Sequence, residues 1–410
     1  MCEDLVRRVK ADDGDEAAFL DLGTALAAGG NLAGLNELLG YRAARGGSGS
    51  ALAFDVCCRL LAAGRHDEML GLCRGFGDTN AFSAIMHCAA GFSHFLRFEN
   101  EPGIALLREG VRRLFMLMEQ HPRETLPLPS LTKLVAAAFL FEPPDWTPPA
   151  GRSPGAPTIL HPGDWSGSAA LTAAFGDALY FRTYGERLAG SFFKHAGTET
   201  SLLIGIVDPD EAATALAAEL ARRHPALTIA AIGYAGPRLP EFCCSVRFLF
   251  AETLLEMAGR PLILTDIDSC FTEGSADVLK MIRAFPLAYT RTQEIWPQLT
   301  IDASVVGAHP GPNARRFFGR VSDYVWAKLG ETGPLWTYDQ VALHLTIAAL
   351  RREGLEITNV NTVLPARFRL PGFFKSEHAL PLAERQKTRT NDRMALLRIG
   401  DDLKPVFAES

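Results

Sequence analysis

The chain has 410 residues, 48% hydrophobic and 21% charged, and carries a net charge of −6. That length suits about two or three domains, and the composition is that of a folded protein with substantial cores rather than a disordered one. The mild acidity gives no support for nucleic-acid binding, and a polyphosphate ligand would need local neutralisation by a metal or a few placed basic residues.

The N-terminus, Met1-Cys2-Glu3-Asp4, is acidic and leads into no apolar stretch of the signal-peptide kind. Residues 1–142 read as helices. Ala17, Phe19, Leu20, Leu22 and Leu26 recur at helical spacing, as do Leu52, Phe54, Val56, Leu60 and Leu61, and then Ile104, Leu106, Leu107, Val111 and Leu114. Breaks at Gly29-Gly30-Asn31, Gly46-Gly47-Ser48-Gly49 and Gly64-Arg65-His66-Asp67 separate them, which suggests stacked helical hairpins. From Ala81 to Leu114 the pattern is helix, turn at Glu99-Asn100-Glu101-Pro102-Gly103, helix. This loosely resembles one tetratricopeptide unit, and an ordinary all-helical domain is the alternative.

Residues 143–168 change texture. Pro143-Pro144, Pro148-Pro149, Pro154, Pro157 and Pro162 are interleaved with Gly and Ser, so a linker or long surface loop is expected there.

Residues 169–410 alternate strand and helix signals. Expected strands are Ala178-Leu179-Tyr180-Phe181, residues 201–207, 227–232 and 261–265, Leu287-Ala288-Tyr289-Thr290, and residues 303–307. Expected helices run over 212–223, 246–258 and 340–352. Such alternation argues for an α/β domain with a mostly parallel sheet, whose ligands bind outside the carboxyl ends of the strands. The eight cysteines include no C-x-x-C pair and several sit in apolar runs, which suits buried free thiols in a reducing compartment. No run approaches a bilayer-spanning length, so a cytoplasmic protein is expected.

The stretch that points to chemistry is Arg260-Pro261-Leu262-Ile263-Leu264-Thr265-Asp266-Ile267-Asp268-Ser269. An apolar strand ends in carboxylates one residue apart. In extended backbone, residues i and i+2 face the same side, so Asp266 and Asp268 can address one ligand. Their mutual repulsion calls for a cation, and Mg²⁺ and Mn²⁺ bridge carboxylates to substrate phosphates. A pair of solvated loop aspartates, one capping a helix, is the alternative.

The neighbouring motifs are Cys244-Ser245-Val246-Arg247-Phe248-Leu249 before this strand, then Ile301-Asp302-Ala303-Ser304-Val305-Val306 and Trp336-Thr337-Tyr338-Asp339-Gln340-Val341-Ala342-Leu343 after it. Their order resembles that of glycosyltransferase family 8 and its GT-A relatives, over roughly Asp177 to Lys375. The resemblance implies a GT-A (Rossmann-like nucleotide-diphospho-sugar transferase) domain, preceded by the all-α helical-hairpin domain. It implies Mn²⁺ or Mg²⁺ as cofactor, a nucleotide-diphosphate sugar as donor with UDP-sugars foremost, and a protein or saccharide acceptor.

By the same resemblance Asp266 and Asp268 hold the metal, ribose and diphosphate, and Arg247 approaches the diphosphate or donor sugar. Asp302 stands near the donor sugar. Asp339 and Gln340 contact the transferred sugar, although Asp339 also suits the start of the helix that follows it. Thr183 and Tyr184, expected after the first strand, would pack on or hydrogen-bond to the base. The family's terminal "H-x-x-G-x-x-K" pattern is matched only by Gly372-Phe373-Phe374-Lys375, with Arg369 where the His would be. Lys375 is thus a phosphate candidate and His378 a metal candidate. A family-8-like transfer retains configuration, whereas Asp302 or Asp339 acting as general base would invert it. A nucleotidyltransferase, or a helical-repeat interaction protein without activity, are the competing readings.

Overall fold

Apolar residues three and four apart in the N-terminal part fold as helices that bury one stripe each. The structure, a computed structural model, describes residues 2–12, 14–76, 82–120, 126, 128–141, 157–236, 239–292, 294–329 and 337–363. It divides into two compact units, the first built on residues 2–141 and 294–300. Its helices are α1 (Cys2–Ala11), α2 (Glu16–Ala28), α3 (Leu32–Ala44), α4 (Gly49–Ala62), α5 (His66–Phe76), α6 (Ser83–Leu96), α7 (Asn100–Gln120) and α8 (Leu128–Leu140). Short polar side chains start three of them: Asp15, Asn31 and Ser48 accept the backbone N–H of Ala18, Gly34 and Ala51.

The expected helix–turn–helix over 81–114 is the hairpin of α6 and α7. The residues expected as its turn from Asn100 on are instead the first turn of α7. A Cβ on Gly110 would lie 2.7 Å from Cys88 N, and one on Gly91 would lie 2.9 Å from Gly103 O. The two backbones therefore approach at a distance only glycine allows. Trp296 belongs to this unit and packs against Phe54 and Phe92 with centroids 5.6 and 5.4 Å away. Gln298 Nε2 donates to Lys133 O at 3.0 Å.

The second unit is an α/β domain. Its strands are β1 (Thr158–His161), β2 (Ala170–Asp177), β3 (Thr200–Val207), β4 (Leu227–Ile232), β5 (Leu262–Asp266), β6 (Leu287–Arg291), β7 (Ile301–Ala308) and β8 (Thr358–Asn359). They form one sheet of order β1-β4-β3-β2-β5-β7-β6-β8. Its helices are α9 (Ala178–His195), α10 (Glu211–Arg223), α11 (Leu239–Leu249), α12 (Ala251–Ala258), α13 (Ser275–Ile282), α14 (Pro312–Leu329), α15 (Tyr338–Arg352) and α16 (Val360–Val363). β4, β3, β2 and β5 are mutually parallel, and β3 is buried along its whole length, as a strand covered on both faces must be. Ala174 packs into a core with Phe181, Phe192, Ala217 and Leu279, while the next residue, Phe175, stacks on Phe250 from the junction of α11 and α12. Successive side chains of one strand thus feed the two faces of the sheet.

Three expectations need correction. Part of the supposed linker is ordered as β1, paired antiparallel with β4. The expected strand Ala178–Phe181 is the first turn of α9. Asp177 accepts Tyr180 N at 2.7 Å and starts the helix, and Phe181, Tyr184, Gly185, Leu188, Ala189 and Phe192 form its buried stripe. A four-residue apolar run cannot by itself distinguish the two states. The sheet is also mixed rather than mostly parallel beyond β5, since β7 runs antiparallel between β5 and β6.

Candidate active site

The strand order reverses at β2: β3 and β4 lie to one side, and β5, reached after α11 and α12, to the other. A crevice opens at the carboxyl ends of strands that flank such a switch point. Asp177 ends β2, and Asp266 ends β5 beside it. Asp208 follows β3 with φ of 46° and accepts Tyr234 N at 2.9 Å. Because β7 is antiparallel, its amino end returns to this same rim: Thr265 faces Val305, so Asp302 and Ser304 lie by the end of β5.

The D-x-D element differs from its expected geometry. Only Asp266 belongs to the strand. Ile267 and Asp268 form a turn closed by Ser269 N donating to Asp266 O at 3.2 Å, and the Thr265 and Ser269 hydroxyls bond at 2.9 Å beneath it. A reverse turn, not strand pleating, brings the second carboxylate back toward the first.

Arg247, near the end of α11, is 4% exposed and organises the cluster. Its Nη1 donates to Cys244 O at 2.7 Å and pairs with Asp266 Oδ1 at 2.9 Å. Its Nη2 donates to Ala303 O at 3.1 Å and to Asp339 Oδ2 at 2.9 Å. Asp339 is the second residue of α15, whose preceding residue Thr337 has φ of 86°. Positive φ is costly for a β-branched residue and is found where surrounding structure enforces it. Asp339 Oδ1 accepts Gln340 N at 2.9 Å. Among the described residues Arg247 Nε and Gln340 Oε1 are buried with no hydrogen-bond partner.

The electrostatics follow from burial. Burial works against the charge of Arg247, but Asp266 and Asp339 outweigh it and hold its pKa above the usual value. Burial pushes Asp339 up to about 6 despite Arg247. Burial, and then the charge of Asp266, push Asp268 up to about 6, with Arg247 and Arg187 pulling the other way. Asp302 is also raised, chiefly by burial, while its Oδ1 accepts Ser304 N at 2.9 Å. Asp339, Asp268 and Asp302 therefore sit above their ordinary range, a disposition that a further cation would relieve. Among the described residues no group of three or more His, Cys, Asp or Glu could hold a metal. Asp266 and Asp268 with ligand oxygens are a donor set of the kind Mg²⁺ and Mn²⁺ accept.

The structure thus brings together Arg247, Asp266, Asp268, Asp302, Asp339 and Gln340. Thr183 and Tyr184 do not stand in a loop after a strand. Thr183 is exposed on α9 and donates to Leu179 O at 2.8 Å, and Tyr184 is buried beside Tyr180. Lys375 and His378 lie outside the described residues. Tyr180 and Arg187 are site residues that the strand reading hid. The Tyr180 hydroxyl is pushed up to about 12 by burial and by nearby Cys244, Tyr184 and Asp268. Arg187 Nη2 donates to Asp268 O at 3.3 Å. Taking Asp177 as a helix cap places Tyr180, Tyr184 and Arg187 on one face of α9. Since α9 follows β2 directly, the chain has no Gly-rich loop of the kind expected of a nucleotidyltransferase there.

No family model matches the chain, and no curated protein matches it. Among solved structures, similar ones include the bifunctional glycosyltransferase WbbM in its apo form, at 12% identity and TM-score 0.36, covering 57% of this chain and 46% of that one. Mouse xyloside xylosyltransferase 1, also apo, has 12% identity and TM-score 0.32, with 47% of this chain and 85% of that one covered. Mannosyltransferase PcManGT from Pyrobaculum calidifontis, in complex with GDP-Man and Mn²⁺, has 11% identity and TM-score 0.27, with 71% and 96% covered. All three are glycosyltransferases, and the chain spans less than half the length of the first. Among the described residues no helix is long and apolar enough to cross a membrane.

Proposed function

We propose that this chain is a glycosyltransferase that moves a sugar from a nucleotide-diphosphate donor, a UDP-sugar foremost, to a protein or saccharide acceptor, with Mn²⁺ or Mg²⁺ at Asp266 and Asp268. The observation that carries this reading is Arg247, buried at the switch point and paired at once with Asp266 and Asp339. Such a pair of ion bridges is costly to build and points to a site rather than to scaffolding.

In this reading Asp268, with Asp266, holds the cation, which would offset the charge of the departing diphosphate. Arg247 keeps Asp266 oriented toward that cation and fixes Asp339 at the head of α15. The free Oε1 of Gln340 accepts a hydroxyl of the donor sugar, and Asp302 faces the same sugar from β7. Asp339, raised to about 6, is mostly ionised at neutral pH and is ready to receive an acceptor proton. Lys375 is a further proposed phosphate contact, and His378 a further proposed metal ligand. The helical unit would serve to recruit the acceptor.

The test is a thermal-shift screen of UDP-, GDP-, CMP- and dTDP-sugars with and without Mn²⁺, followed by a sugar-nucleotide hydrolysis assay. A shift that needs Mn²⁺, with hydrolysis abolished by Asp268→Ala, supports the reading. No shift with any nucleotide favours a helical-repeat interaction protein without activity.

A further inference from the structure

The turn that carries Asp268 is tied down from outside the strand that leads to it. Arg187 Nη2 donates to the Asp268 carbonyl at 3.3 Å, and Phe271 N donates to Ser191 Oγ at 3.1 Å. Arg187 and Ser191 are one helical turn apart on α9, so a single helix face grips the segment at two points, Asp268 and Phe271. Ser191 Oγ in turn donates to Leu188 O at 3.1 Å, which fixes the lone pair offered to Phe271 N. The α9 face is itself anchored, since Phe192, the next residue, packs edge-on to Phe271 with centroids 5.1 Å apart. Asp177 fixes where that face begins by capping the helix at the end of β2.

Within the turn itself Ser269 N donates to Asp266 O and the Thr265 and Ser269 hydroxyls bond to each other, while Ile267 and Phe271 are buried in the core. Both of those hydrogen bonds act on the strand side of the turn. Neither reaches Cys270 or Phe271, on the far side of the turn from β5. Groups that orient a ligand in this way typically change metal affinity by about 10–100-fold when removed.

We infer that Arg187 and Ser191 are positioning residues that clamp the Asp268 turn from α9 and so set the affinity of the site for a divalent cation. The inference rests on the reading of Asp266 and Asp268 as the cation site. The clamp acts through main chain: neither side chain binds the cation, and Arg187 adds a fixed positive charge that favours the ionised Asp268 carboxylate in the empty site and opposes a bound cation.

The experiment is Mn²⁺ titration of the full chain, read by the loss of the free-ion electron paramagnetic resonance signal, with UDP and in parallel with GDP. Ser191→Ala and Arg187→Met are compared with wild type, with Ser191→Thr and Arg187→Lys as conservative controls. Ser191→Ala is expected to weaken Mn²⁺ binding about 10-fold with the ligand-free melting temperature little changed, and Ser191→Thr to restore it. Arg187→Met, which removes a repelling positive charge together with the tie, is expected to weaken it less than Ser191→Ala, and Arg187→Lys, which keeps the charge but not the guanidinium tie, to weaken it more than Arg187→Met. Unchanged affinity in Ser191→Ala and Arg187→Met, with wild type binding Mn²⁺, would overturn the clamp alone. A wild-type protein that retains no Mn²⁺ with either nucleotide would overturn the cation site and the clamp together.

Discussion

Arg247 on α11 and Asp339 on α15 meet at 2.9 Å although 92 residues separate them in sequence. The same guanidinium holds Asp266 at 2.9 Å, so one side chain joins the end of β5 to the start of α15. Removing one partner of a buried pair leaves the other charge uncompensated, typically at about 3–5 kcal/mol. Asp339 is itself raised to about 6, so its charge also costs stability at neutral pH, and Asp339→Asn is expected to destabilise the second unit by only about 1–2 kcal/mol, the loss falling on Arg247, which keeps Asp266. Arg247→Met combined with Asp339→Asn is expected to cost less than the sum of the single changes. Urea unfolding of the four proteins in this cycle checks it, and strict additivity would mean that the pair is not coupled.

Asp268 is a second carboxylate raised in this way. Burial and Asp266 raise it to about 6, so at neutral pH its charge opposes folding. A carboxylate with a raised native pKa loses stability as the pH rises from the unfolded value of 3.8 to about 6, by about 1.4 kcal/mol per unit, and the cost is complete above that. Discounted for its partial exposure, Asp268→Asn is expected to stabilise the ligand-free protein by on the order of 1 kcal/mol at pH 7 while removing the Mn²⁺-dependent thermal shift. Calorimetry with and without Mn²⁺ checks both halves, and a destabilised ligand-free variant would contradict the first.

These two relationships also show how much of the site was legible beforehand. Asp266, Asp268, Arg247, Asp302, Asp339 and Gln340 stand in motifs whose residue types already name a chemistry, and each lies at the end of a strand or helix that a parallel core brings to one rim. The apolar strands β3, β4 and β5 were equally readable because burial on both faces leaves a continuous hydrophobic run. The contribution of α9 was not readable in the same way. Ala178-Leu179-Tyr180-Phe181 is a short apolar run, and what starts a helix there is the Asp177 carboxylate capping Tyr180 N. With the helix starting at Ala178, Thr183 and Tyr184 lie on α9 rather than in a loop, and Arg187 and Ser191 come onto the face that meets the Asp268 turn. The return of β7 was hidden for another reason: strand direction depends on pairing partners distant in sequence, and local periodicity carries no trace of it.

The helical unit supports a prediction of its own. A methyl group on Gly110 would sit 2.6 Å from Cys88 Sγ and 2.7 Å from Cys88 N. The nearby amide is backbone within α6, so relief requires the hairpin of α6 and α7 to separate. Overpacking of this kind typically costs about 1–3 kcal/mol, and Gly110→Ala is expected to fall at the upper end although alanine favours helices. Circular dichroism melting should show a lowered transition, whereas Gly71→Ala, where a Cβ would meet nothing within 4 Å, should be neutral or slightly stabilising.

His344 supplies a pH dependence whose sign can be worked out. It is fully buried on α15, and burial, with a smaller push from Arg291, lowers its pKa from 6.5 to about 3. Between those values the unfolded chain binds a proton at this site that the folded chain does not. Stability from this group is therefore complete above pH 6.5 and falls as the pH drops, by about 1.4 kcal/mol per unit, until it levels off near pH 3. Asp339 and Asp268, with raised values, slope the other way between 3.8 and about 6, so the wild-type profile mixes both signs. A difference measurement isolates the histidine. Comparing wild type with His344→Leu by urea unfolding at about pH 7.5 and about pH 5, the variant is expected to gain about 2 kcal/mol relative to wild type at the lower pH. An equal gap at both values would mean that the imidazole becomes protonated within the folded protein, and that the core around α15 admits water or a counter-charge.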